Sequence, residues 1–453
     1  MPISRLRAGA RIAAFGIFST VLLATTAQAA TLTVWWNKGY YPSEDEATKA
    51  VVKAWEKKTG NTVNLSLYST NNINAKFISA ISAGEVPDVA YADINDFLIA
   101  PQQAWKGNLV DVSSVVEPLK DQYTKTALLS SYLYNNKLHK RSYYTVPLKQ
   151  QALHNFYWKP MIKAAGYSVD DIPKQWDAYW DFWGKIQKKL RADGKRVYAL
   201  GFPISAVGTD NFYTFNQFAL AYGAHFVNPD GTLNLTPETR KAAIATLTFI
   251  KDKYDKGLIP PGAINWQDSD NNAAFLSKQL IMTSNASLSI PVSQADDQKV
   301  YHEIGTGMQP LGPDGKKVKS LVAVKVAFIP KGAKNPDLAK DFLAFVAQPK
   351  RLDNMLKAAR GRWLPVMPEL IKDDPFWTNP KDPHIPVAVK QEVTGPTEPW
   401  PMAYNPAYAQ VNAEEVWGKA EGDVVNNGVS PEKAVDNAFA QIKKIFSQYQ
   451  IKK

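Results

Sequence analysis

The sequence predicts an α/β protein built as two discontinuous lobes, and three observations lead there. From Leu32 onward strand-like and helix-like stretches alternate: "LTVWW", "EATKAVVKAWEKKTG", "TVNLSLYS", "NINAKFISAISAGE" and "DVAYAD" follow in βαβαβ order. That order favours a largely parallel sheet covered by helices. A long middle region is then helical and rich in aromatic residues. Strand character returns late, at "SLVAVKVAFIP", so the chain is expected to rejoin its first sheet after building a second lobe.

The elements can be justified in order. Leu32, Val34 and Trp36 alternate as a half-buried strand should, with Trp35 on the opposite phase. The pleat sends the two adjacent indoles to opposite faces, so one suits a core and the other calls for a ligand. The sequence leaves open which does which. Ala47, Val51, Val52 and Trp55 recur at helical spacing and stop at Gly60. In "QWDAYWDFWGKIQKKL", Trp176, Trp180 and Trp183 form an i, i+4, i+7 stripe that reads as core. "TPETRKAAIATLTFIKDKYDKGLI" opens on a threonine cap and stops at Gly257. The tail from Asn412 to Tyr449 is helical, broken at "NNGVSP". Ligands of parallel sheets sit beyond the carboxyl ends of the strands, which draws attention to the residues after Val34, Leu67 and Tyr91.

Residues 1–29 read as an export signal. Arg5, Arg7 and Arg11 precede an apolar run from Ile12 to Ala24, and Ala27-Gln28-Ala29 is an A-x-A cleavage site. Cleavage near Ala29/Ala30 predicts a periplasmic protein, and a site without Cys predicts no lipid anchor. The formal charge of +11 falls to about +8 without that segment. Lys and Arg are scattered among 42 acidic residues, a pattern of a solvated surface with no nucleic-acid partner.

Composition also narrows the chemistry. There is no Cys, and the five histidines include no zinc-helix spacing, so no metal is expected. No G-x-S-x-G elbow occurs, and "GMQPLGPDGK" carries Pro313 where a phosphate loop needs lysine. What remains is 13 Trp, 20 Tyr and abundant Asn and Gln, an inventory suited to stacking on sugar rings and bonding hydroxyls. No cofactor and no catalysis are expected.

"SAGEVPDVAYAD", residues 82 to 93, resembles the segment that marks family 1 extracellular solute-binding proteins, the sugar receptors of ABC importers. Further matches follow in family order. "YTVPLKQQALHNFYWKPMIKAAG" resembles the hinge strand and next helix, and "IPKQWDAYWDFWGKIQKKL" the "P.TWDE" helix. "FLSKQLIMTSNAS" and "VAFIPKGAKNPDLAKDFLAFVAQP" resemble two later segments. The resemblance implies a type II periplasmic-binding-protein fold with a hinge and an interlobe cleft. It places 30–149 plus 305–348 in the first lobe and 150–304 plus 349–453 in the second. It implies a carbohydrate ligand, a membrane permease as partner and a monomer.

By position, the resemblance nominates Trp35, Trp36, Asn37 and Lys38 after the first strand, Asn72 after the second, and Asp93 and Asn95 after the third. Gln151 stands at the hinge, where relatives carry an acid. Asn211, Tyr213, Trp266 and Asn285 are nominated in the second lobe, with Arg362 and Trp363 near a late crossing and Trp400 more loosely. Two alternatives stay open: a secreted carbohydrate-active enzyme, and a receptor for an anionic or phosphorylated solute, the latter favoured by Lys38, Lys149 and Arg362.

Overall fold

A computed structural model of the chain describes residues 29–206 and 209–451. The expected export segment, 1–29, lies outside them except for Ala29. The first five elements follow the expected order: β1 (Thr31–Asn37), α1 (Pro42–Thr59), β2 (Thr62–Tyr68), α2 (Thr70–Ala83) and β3 (Val89–Tyr91). Both helices end on a glycine in the left-handed region, Gly60 and Gly84. β1 lies between β2 and β3, parallel to each.

The remaining strands are a hairpin, β4 (Tyr132–Asn135) and β5 (Lys140–Tyr143), then β6 (Val146–Gln151), β7 (His154–Trp158), β8 (Tyr198–Gly201), β9 (Leu280–Asn285), β10 (Ile304–Gly307), β11 (Ser320–Phe328) and β12 (Thr397–Pro399). The long β11 joins the first sheet antiparallel to β3 and to β6, while its first residues pair in parallel with β12. The expectation of a largely parallel sheet thus holds for β1, β2 and β3 and for the β11–β12 pair, while β11 runs antiparallel to β3 and β6. The second sheet has the order β10-β7-β9-β8. In that sheet β10 pairs antiparallel with β7.

Three helices pack the second lobe: α3 (Trp176–Ala192), α4 (Thr209–Ala221) and α5 (Pro237–Asp255). Trp176, Trp180 and Trp183 are all buried in its core, where Trp180 meets Phe202, Phe218 and Phe249 edge to face. Each such indole removes enough surface from water to contribute about 4–6 kcal/mol. Thr236 caps α5 by accepting from the backbone N–H of Thr239. The first core gathers Leu32, Val34, Trp55 and Phe77 beneath α1, α2 and the later α6 (Pro336–Val346). The next helix, α7 (Pro349–Ala358), sends Leu352 to this core and Leu356 to a cluster around Trp158 and Trp377 on the second sheet.

At the crossing, the buried Gln217 amide of α4 acts as a piece of strand edge. Its Nε2 donates to the Lys319 carbonyl at 3.0 Å, and its Oε1 accepts from the Leu321 N–H at 2.9 Å. The chain ends in α8 (Val416–Asn426) and α9 (Pro431–Phe446), with the break between them at residues 427–430. Among the described residues, no helix is long and apolar enough to cross a membrane.

Candidate functional site

The carboxyl ends of β1 and β3 meet the start of α1, the middle of β6 and the turn at residues 360–363. Together they enclose a cavity lined by Trp36, Asn37, Lys38, Glu44, Asp93, Lys149 and Trp363, with Leu352, Met355 and Leu356 on one wall. This is the location expected for ligands of such sheets.

Trp36 forms the floor. It is buried and stacks on Tyr91, with centroids 4.4 Å apart. Trp35, on the other face of the sheet, stacks on Phe77 and lies under the Lys76 ammonium, 4.4 Å from its ring centroid. Asn37 is a linker: its Oδ1 accepts from the Thr70 hydroxyl and the Asp93 N–H, at 3.1 and 3.4 Å.

Four charges organise the cavity. Lys149 contacts Asp93 at 3.1 Å, while Arg362 lies 3.5 Å from Glu44 and 3.7 Å from Asp93. Glu44 sits in the first turn of α1, where its other oxygen accepts from the N–H groups of Tyr40 and Tyr41; a carboxylate is favoured at that helix end. Burial opposes the charge of Asp93, but Lys149, Arg362 and the Tyr91 hydroxyl outweigh it and hold the carboxyl below its ordinary value. Burial pulls Lys149 down, against Asp93 and Glu44. Lys149 and Arg362 also both lie over the Trp363 ring, 4.0 and 4.3 Å from its centroid, a cation–π arrangement made stronger by burial.

Arg362 is aimed by its turn. Arg360 and Gly361 both have positive φ, 56° and 79°. A Cβ on Gly361 would come within 2.6 Å of Ile385 Cδ1, so glycine is favoured both by its backbone and by the space around it. Arg362 Nε, Trp363 Nε1 and the nearby Tyr41 hydroxyl are buried without a hydrogen-bond partner among the described residues.

A second cluster lies beside the first. Lys325 of β11 contacts Asp96 at 3.2 Å, and the Tyr213 hydroxyl receives a hydrogen bond from Gln151 Nε2 at 2.8 Å. Lys325 Nζ lies 3.4 Å from that hydroxyl. Tyr213 meets Phe97 and Trp400 edge to face, and Trp400 stacks on Phe212. Burial pushes Asp96 up to about 6, against the pull of Lys325.

Of the nominated residues, the fold brings Trp36, Asn37, Lys38, Asp93 and Trp363 to the cavity wall, with Arg362 beside it against Glu44 and Asp93, and Gln151 with Tyr213 and Trp400 to the adjoining cluster. The rest lie elsewhere. Asn72 is exposed on the first turn of α2. Asn95 is fully buried under β11, its Nδ2 3.5 Å from the Val326 carbonyl. Asn211 donates to the Ser205 carbonyl, and Asn285 to the Ser287 carbonyl and the Ser289 hydroxyl. Trp266 is half-buried between two apolar clusters. Sequence reasoning did not nominate Glu44, Tyr91, Asp96 or Lys325. The alternating position of Lys325 within an apolar strand was the one available signal.

Residues 50–386 match the family model described as bacterial extracellular solute-binding protein. The arabinooligosaccharide-binding protein of Bacillus subtilis (strain 168) is 26% identical over 328 residues, covering 69% of this chain and 68% of that protein. A solute-binding protein of an ABC transporter from Thermotoga lettingae, solved with α-D-tagatose, superposes with a TM-score of 0.72 at 21% identity, over 92% of this chain and all of that one. The sugar-binding protein MalE of Xanthomonas citri gives 0.72 at 20%, over 92% and 98%. The fold is that of type II periplasmic binding proteins.

Proposed function

Because this chain belongs to the bacterial extracellular solute-binding protein family, we propose that it is the receptor of an ABC importer for a neutral sugar or oligosaccharide. In this reading the chain captures its ligand in the periplasm, as a monomer without catalysis, and delivers it to a membrane permease. The relatives support it: one is named for arabinooligosaccharides, and another was solved with a monosaccharide.

The observation that carries the ligand class is the balance of the cavity. Lys149 and Arg362 are each already paired with Asp93 or Glu44, so a second anion would have to displace a buried carboxylate. Buried unpartnered N–H groups on Arg362 and Trp363 instead suit the oxygens of an uncharged polyol, because a buried donor without an acceptor is costly. The free volume between these walls is about 40 Å³, room for a few water molecules and well below the range of small-molecule sites. In this reading the ligand widens that space as it binds, a change that its contacts on both sides drive.

The test is calorimetric titration of the purified chain with arabino- and malto-oligosaccharides, tagatose, a uronic acid and a sugar phosphate. A neutral saccharide is expected to bind and to raise the melting temperature by mass action. Binding of only the anionic sugars, or turnover of any saccharide, would overturn the proposal.

A further inference from the structure

A larger cavity, of about 720 Å³, lies on the second lobe under the segment that crosses from β10 to β11. It shares no lining residue with the charged cavity. Its volume is in the range of small-molecule sites. Tyr157 and Tyr179 form buried aromatic wall, while Ile172, Met308 and Pro310 supply aliphatic surface. Met308, 41% exposed, stands at its open side.

The crossing segment is folded back over this cavity rather than left loose. The N–H of Leu311 donates to the Lys174 carbonyl at 2.8 Å, and Leu311 bridges to Lys317 across a tight turn at Gly315. This brings Lys174, Lys317 and Lys390 to the rim from three separate parts of the chain. Among the described residues no Asp or Glu lines the cavity; the carboxylate acting on its wall is Asp170, whose charge reaches Tyr157, and the three lysines are exposed. Burial pushes Tyr157 up to about 12, so its phenol is protonated and able to donate at neutral pH.

We propose that this cavity binds a small aromatic carboxylate, its ring between the tyrosine and proline surfaces and its carboxylate at the three-lysine rim. Apolar walls give the affinity, and one-signed charge selects the anion.

The probe is 2-naphthoate, followed by its own fluorescence on the full chain, against 2-naphthylmethanol and 2-naphthylmethylammonium as neutral and cationic counterparts. The naphthoate is expected to bind about tenfold or more tightly than either. Lys317→Glu combined with Lys390→Glu should abolish that preference. Lys185→Glu combined with Lys241→Glu, which makes the same change of net charge elsewhere on the surface, should leave it intact. Equal binding of the three probes, or equal loss in both double variants, would overturn the proposal. So would naphthoate binding that survives Lys317→Glu/Lys390→Glu in a variant whose melting curve matches the parent.

Discussion

Lys149 and Lys325 are paired across β6 and β11, and each reaches a different aspartate of the loop after β3. Like charges directly opposite on a sheet repel. Here Asp93 takes one ammonium and Asp96 the other, so a loop of four residues neutralises both. The register slips between Lys325 and Val326, leaving Leu148 as the extra residue between Pro147 and Lys149. Such a bulge re-aims the side chains beside it.

The two aspartates should respond to pH in opposite directions. Asp96 has a folded value near 6 against an ordinary 3.8, so its contribution to stability is fully present below 3.8 and lost as pH rises towards 6. Asp96→Asn, which mimics the protonated form, should gain on the parent by about 3 kcal/mol between pH 3.5 and pH 7. Urea midpoints across that range check it, and a constant difference would refute the assignment.

Asp93 is held below its ordinary value, so its contribution is present above 3.8 and is lost as pH falls through the lowered value. Lys149→Met removes the first of its two cations. Stability at pH 7 should drop by about 3–5 kcal/mol, because a buried carboxylate loses its partner. Acid unfolding should also begin at higher pH than in the parent, as chemical denaturation at pH 4 to 7 would reveal.

From its place at the end of the first strand, Trp36 suits a ligand contact, and it lines the cavity. It is also buried against Tyr91, so its loss should cost the unliganded fold as well. Trp36→Ala should cost about 3–5 kcal/mol of stability without ligand. An unchanged denaturation midpoint would return the ring to the ligand.

Gly361→Ala should destabilise by about 2 kcal/mol, from the left-handed backbone and the contact with Ile385. It should also weaken binding of whichever sugar the panel identifies, because it turns the residue before Arg362. If affinity survives while stability falls, Arg362 is a scaffold for Glu44 and not a ligand contact.

Local regularity made part of this legible in the sequence. The stripe of Trp176, Trp180 and Trp183 follows from helical period alone, and the strand-end rule leads to Asn37 and Asp93. Glu44 was hidden because nothing in "YYPSEDE" marks which of its acids turns back towards a loop some three hundred residues later. Lys325 and Asp96 were hidden for a similar reason: their pairing depends on a register between distant strands. Asn72 and Asn95 have the right residue type at the right strand end. Which way such a side chain turns, to water or under β11, is decided by packing that no local pattern encodes.

Gln217 has a mechanical consequence. Its amide splices helix α4 onto the first residues of β11, so Lys319 to Leu321 travel with the second lobe as one rigid piece. The far end of the same strand is sewn into the first sheet through Ala327 and Phe328. β11 is thus held at both ends by different partners, and the slipped rung at Lys325 lies in the span between them. The residue that balances Asp96 is also the one that stands between the two anchors.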